Sequence, residues 1–162
     1  MNVLLYPDPT NPAPSRLQLV FPANDTLEEY AFKYLEPHNI EYVIVDQSVL
    51  PDASCLYNML LVELVGGVPV FSYDVPSAKE FATSLNSIYW QQQYNTGLLS
   101  LSISTDYQLQ LAIATPENER TADQVAAVEF LTGINGLQTS VQDQIDAATT
   151  GEELIQILSQ LG

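Results

Sequence analysis

Hydrophobic positions fall into two regimes that meet near Pro76. Upstream they form short, β-branched runs separated by turn residues. Val3–Leu5 is such a run, ended by Pro7 and Pro9, and four of the ten prolines lie in the loop Tyr6–Ser15. Arg16–Phe21 reads as a second strand closed by Pro22, giving a strand pair with a long connection. Thr26 and Glu29 have capping-box spacing, in which each side chain satisfies the other's free backbone N–H. Leu27, Tyr30, Ala31, Tyr34 and Leu35 then trace one helical face up to Pro37. Glu41–Asp46 is rich in β-branched residues and reads as a buried strand. Asp46–Ser54 is a turn-rich link. Tyr57–Leu64 and Val68–Tyr73 flank Gly66-Gly67, a hairpin signal. The predicted order is β-β-α-β-β-β.

Downstream the period lengthens to that of helices. Ser77 and Glu80 form a second capping pair, and Ala78, Phe81, Leu85, Ile88 and Tyr89 follow on one face. The spacing predicts a helix over 77–95, with Gly97 as its stop. Residues 98–114 fit two periods: Tyr107, Leu109, Leu111 and Ile113 alternate as a strand would, while Ile103, Tyr107, Leu111 and Ala114 share a helix face. Helical neighbours on both sides favour a helix over 104–114. Thr121 and Gln124 start another, over 121–132, stopped by Gly133 and followed by a loop, Gly133–Ser140. Thr150 and Glu153 cap a terminal helix over 151–161. Its apolar face, Leu154, Ile157, Leu158 and Leu161, needs a partner to be stable. The fold expected is α+β: a small N-terminal antiparallel or mixed sheet with one crossing helix (1–75), then a helical C-terminal half (76–162).

Composition narrows the function. Hydrophobic residues make up 46% of the 162, enough for a core, but only 15% are charged, against about 25% in a typical domain. Twenty are acidic and four basic, Arg16, Lys33, Lys79 and Arg120, for a net charge of -16. Four scattered cations make no phosphate-binding stripe, so nucleic acid is not an expected partner. The same charge disfavours anionic membrane surfaces. The acids lie ten before Pro76 and ten after it, without the dense rows a DNA mimic would need. The start Met1–Pro7 lacks the basic and apolar segments of a signal peptide, and no apolar run reaches membrane-spanning length. A single cysteine, Cys55, allows no internal disulfide, in keeping with synthesis in a reducing cytosol.

Candidate chemistry is sparse. His38, the one histidine, sits in the turn Pro37-His38-Asn39, so no histidine pair or Ser-His-Asp relay can form within the chain. Cys55 has no neighbouring cation in sequence to lower its pKa. One Cys and one His do not make a zinc site, and calcium or phosphate loops are absent. Asp46, Asp52 and Asp74 sit at strand ends, where glycosidase acids also sit, but strand-end aspartates are ordinary turn residues. No catalytic residue, metal or cofactor is therefore expected. Tyr89, Trp90 and Tyr94 stand beside Gln91-Gln92-Gln93, a mixture favoured at protein interfaces; covering the sheet is the alternative role for Tyr89 and Trp90. With Leu154, Ile157, Leu158 and Leu161 they are the candidate interface residues.

Three segments carry a resemblance. They are Val3-Leu4-Leu5-Tyr6-Pro7 with Leu19-Val20-Phe21-Pro22, then Glu41–Asp52, then Ile145-Asp146-Ala147-Ala148-Thr149-Thr150-Gly151-Glu152-Glu153-Leu154. Together they resemble a group of small tailed-bacteriophage proteins encoded near tail genes. In that group a py-ivd-sdlP segment precedes a hairpin, and a helical region ends in AaTT-eeL. Val75–Glu80 is similar to the start of that group's first long helix. The group's basic-aromatic stretch after the proline is replaced here by Ala53–Asn58, so no contact made by that stretch carries over. The resemblance implies phage origin, a helix over Leu98–Ala114 and no catalytic residues. The resulting expectation is a non-enzymatic virion protein of the tail, baseplate or tail fibre, made in the host cytoplasm. It would dock onto other phage structural subunits, with self-association as a further option. The alternatives are a tail-fibre assembly chaperone that does not stay in the virion, and an acidic inhibitor of a host nucleic-acid-binding protein.

Overall fold

The computed structural model describes residues 1–11, 14–21, 25–51, 54–101 and 106–161. Five strands, β1 (Asn2–Pro7), β2 (Ser15–Val20), β3 (Val43–Asp46), β4 (Leu60–Val65) and β5 (Val68–Tyr73), form one sheet in the order β3-β1-β2-β4-β5. All four pairings are antiparallel. Five α-helices accompany it: α1 (Leu27–Tyr34), α2 (Val75–Ser100), α3 (Asp106–Ala114), α4 (Ala122–Ala147) and α5 (Gly151–Leu158). The chain is α+β, a curled sheet followed by a mostly helical half. It divides into two compact units, 1–78 with 149–155, and 79–148 with 156–162.

In the first unit, β1 is an interior strand between β3 and β2, and Val3, Leu4 and Leu5 are all fully buried. An unbroken apolar triplet is what a strand covered on both faces requires. Leu4 packs with Ala31 and Leu35, and Tyr6, Val20, Leu27, Tyr30 and Ile44 close around them, so α1 lies across the sheet. The Thr26–Glu29 capping box is complete in both directions. Tyr34, expected on the inner face, is instead exposed and meets the Tyr30 ring at a 46° tilt, with centroids 4.8 Å apart. The expected strand Tyr57–Leu64 starts only at Leu60, because Ser54–Met59 winds into a 3-10 helix that buries Leu56. Gly66 and Gly67 both have positive φ (60° and 80°), as a two-residue type I′ turn demands.

That turn makes Val65 and Val68 a hydrogen-bonded pair, and the bonding alternates from there. Val68, Val70 and Ser72 thus turn their backbone groups toward β4, and Pro69 and Phe71 turn theirs toward the open edge. A proline belongs only at such an outward position, where no ladder donor is lost.

The first helix of the C-terminal half begins two residues earlier than its sequence suggests. Asp74, not Ser77, is the cap: its carboxylate accepts the Ser77 N–H at 3.3 Å and the Ser77 hydroxyl at 2.7 Å. Arg16 joins them, donating to Asp74 at 2.9 Å and to the Asn58 carbonyl. The Ser77 hydroxyl foremost, then its N–H and the Arg16 charge, hold the Asp74 carboxyl below its ordinary 3.8. A depressed folded pKa stabilises fully above the unfolded value and is lost as pH falls below it. Denaturation of the native chain and of Asp74→Asn should therefore differ by about 0.5–1 kcal/mol at pH 7. The two curves should converge as the pH is lowered beneath the ordinary carboxyl range, because the depressed folded-state pKa is then passed and the carboxyl is protonated in both states.

The helical unit corrects two further expectations. The helix does not stop at Gly97: α2 runs on to Ser100. Nor does Gly133 open a loop, since α4 continues through Gly133, Gly136 and Ser140 to Ala147. Its inward face explains why, with Ala127, Ile134, Val141 and Ile145 buried at helical spacing across the glycines. The ambiguous stretch resolves as a helix over Asp106–Ala114, and Ile103 lies outside the described residues. The capping boxes at Thr121–Gln124 and Thr150–Glu153 form as their spacing predicts.

Candidate functional site

The acids weighed at the strand ends serve the backbone. Asp74 caps α2, and Asp46 accepts the Ser48 N–H at 2.9 Å, a bond that with the Ser48 side chain brings its pKa to about 2. Asp52 lies outside the described residues. His38 and Cys55 are both exposed. Among the described residues no three His, Cys, Asp or Glu side chains group so as to hold a metal ion, and no helix is long and apolar enough to cross a membrane.

The seven candidate interface residues separate into two sets. Leu154 is fully buried, and Ile157, Leu158 and Leu161 are each less than a tenth exposed. The partner these four require is the chain itself, which removes them from any docking surface. Tyr89, Trp90 and Tyr94 are half-buried on α2. Tyr94 packs against Leu98, Leu109 and Ala127. Trp90 meets Tyr89 edge-on, with ring centroids 5.0 Å apart. Its indole N–H is buried without a protein acceptor.

Trp90 stands where the seam between α2 and α4 changes character. The two helices run antiparallel, joined at one end by a polar clasp. Lys79 donates to the Asp146 carbonyl (2.7 Å), and Gln142 donates to the Thr83 hydroxyl (2.9 Å). Asn86 donates to the Gln138 carbonyl and to the Gln142 side chain (both 3.2 Å). Lys79, Thr83 and Asn86 share one face of α2, and Gln138, Gln142 and Asp146 one face of α4. Asn86 is 1% exposed, a polar residue in a position where helical patterning leads one to expect an apolar side chain. Ile88, expected inward, is exposed.

Beyond the clasp the seam becomes apolar and opens. Trp90, Gln93 and Gly97 of α2 and Phe130, Gly133 and Leu137 of α4 line a groove of about 430 Å³, with Ile134 at its base. A smaller hollow of about 250 Å³ lies between Trp90, Tyr94, Leu109 and Leu131. A broader concavity, about 650 Å³ along Asn135, Thr139 and Asp143, is walled by α4 alone.

Three properties mark the 430 Å³ groove. First, none of the described residues lining it is titratable, so it offers contacts and amide hydrogen bonds rather than proton transfer. Second, it is formed within two uncharged reaches of a strongly acidic chain, 81–100 of α2 and 130–142 of α4. Third, its glycines differ. A Cβ at Gly97 would fall within the Phe130 ring, whereas one at Gly133 or Gly136 would meet nothing within 4 Å. Helix-interior glycine costs about 1 kcal/mol relative to alanine, and packing inside the chain accounts for that cost only at Gly97. Sequence reasoning identified Trp90 but missed Phe130, Gly133 and Leu137. The available signal was the absence of charge along both reaches.

Elsewhere the charge is one-sided. Lys33 pairs with Asp25 (2.6 Å), and Arg16 and Lys79 are engaged as described. Arg120 folds back on the end of α3, donating to the Ala112 and Thr115 carbonyls (both 3.0 Å), as a cation does at a helix C-terminus. Each of the four cations is thus committed within the chain, against twenty acids.

No family model, curated protein or solved structure gives a match to this chain.

Proposed function

We propose that the protein is a non-enzymatic docking component of a tailed-phage particle, placed in the tail, baseplate or fibre region. The observation that carries the docking role is the α2–α4 groove. Its walls combine Trp, Phe and Leu with glutamine and glycine and hold no charge, the composition of an interface core rather than of a reaction site. The phage assignment is supported by the three segments similar to tail-neighbourhood proteins. In this reading the chain is made in the host cytoplasm and then incorporated in the virion beside other structural subunits. Nucleic acid and membrane are not its partners.

Mass spectrometry of purified particles, before and after separation into heads, tails and fibres, tests the proposal. Recovery with the tail fraction at a fixed ratio to other tail proteins is the expected result. Absence from particles, with abundance in the infected lysate, would overturn it and favour the assembly chaperone.

One observation favours a second reading, the acidic inhibitor of a basic host protein. With all four cations engaged internally, the surface field is uncompensated and would draw a Lys/Arg-rich partner. Such a complex should weaken steeply as salt is raised, which groove-mediated docking should not.

A further inference from the structure

The geometry points to a second copy of this chain as the occupant of the α2–α4 groove. The two copies would be related by a two-fold axis passing between Gly133 and Leu137 of α4. The inference rests on the reading of this groove as a docking surface and names its occupant; it is tested on the isolated chain, separately from recovery in particles.

Self-association by a molecule of net charge -16 is opposed by its own field unless the contact lies where charge is absent. The groove is such a place, bounded by the uncharged reaches 81–100 of α2 and 130–142 of α4. A basic partner would be steered to the acids elsewhere, and nothing lining the groove would hold it there. The second argument is shape. A two-fold interface must present its knob and its hole on the same surface. Leu137 rises at the rim, 55% exposed, and one turn earlier Gly133 leaves open space above its Cα. Placed antiparallel across the axis, Leu137 of each copy seats over Gly133 of the other, against Trp90 and Phe130. The third argument is the glycine itself. Gly133 lowers helix propensity without serving any contact inside the chain, and a close approach from outside gives it a purpose.

Sedimentation of the full chain under reducing conditions tests this. The native chain should move from the 17.9 kDa monomer toward twice that mass as concentration rises to about 1 mM. Leu137→Glu puts a charge at an exposed site, so it should keep its helical circular dichroism and lose association at least about tenfold. Gly133→Ala separates the two roles of that position. It should raise the monomer's Tm by about 2–4 °C while weakening association. Raising salt from about 20 mM to about 500 mM should strengthen association, since it screens acid–acid repulsion outside an uncharged contact. A native chain that stays monomeric at every concentration overturns the inference. So does a dimer that Leu137→Glu leaves intact, or one that salt dissolves.

Discussion

Leu154→Ala should lower the unfolding free energy of the isolated chain by about 2–5 kcal/mol, measured by chemical denaturation. Leu154 has no exposed surface, so truncation removes its transfer energy and leaves a cavity that the surroundings fill only in part. The result is diagnostic because the sequence invites the opposite reading. A strongly amphipathic terminal helix with Leu154, Ile157, Leu158 and Leu161 on one side could have been a docking face. Truncation at a docking face leaves the free chain nearly as stable as before and weakens only the complex. A denaturation midpoint unmoved by Leu154→Ala would therefore contradict the packing of α5 and restore these four residues as surface.

Gly97→Ala is the second large effect, and its sign is unusual. At most helix-interior sites the substitution adds about 1 kcal/mol of stability. Here the new methyl would fall within the ring of Phe130, and Phe130 belongs to the cluster of Leu98, Leu109 and Ala127. Either the ring leaves that cluster or α2 and α4 separate, at a cost of about 1–3 kcal/mol. Gly151 is constrained in the same way, since a Cβ there would overlap the Tyr73 ring. Thermal unfolding of Gly97→Ala beside Gly133→Ala should show shifts of opposite sign from the same chemical change on two helices that face each other. A Gly97→Ala chain more stable than the native one would mean that Phe130 does not lie over Gly97.

Those glycines also show where sequence reasoning stops. The capping boxes at Thr26, Thr121 and Thr150, the Gly66-Gly67 turn and the buried β1 triplet were all legible, because each is decided by residues within a few positions. Gly97 and Gly133 read as helix stops because glycine usually is one. What Gly97 does depends on Phe130, thirty-three positions away. The same holds for the clasp of Asn86 with Gln138 and Gln142, where a polar residue is inward only because a second helix supplies its partners. Trp90 was legible as an interface candidate by its chemistry, but the groove it walls required knowing that 81–100 and 130–142 run side by side.

The proline of β5 has a consequence for crowding. Pro69 faces outward on the last strand of the sheet, so at that position the rim lacks the N–H donor an added strand would use, while Phe71 keeps its own. Two such rims brought together would pair with a missing hydrogen bond at each proline. The β5 edge is thus blunted against the addition of a further strand. Copies concentrated at one place are then disfavoured from joining edge to edge through β5, which leaves the helices as the surface by which they meet.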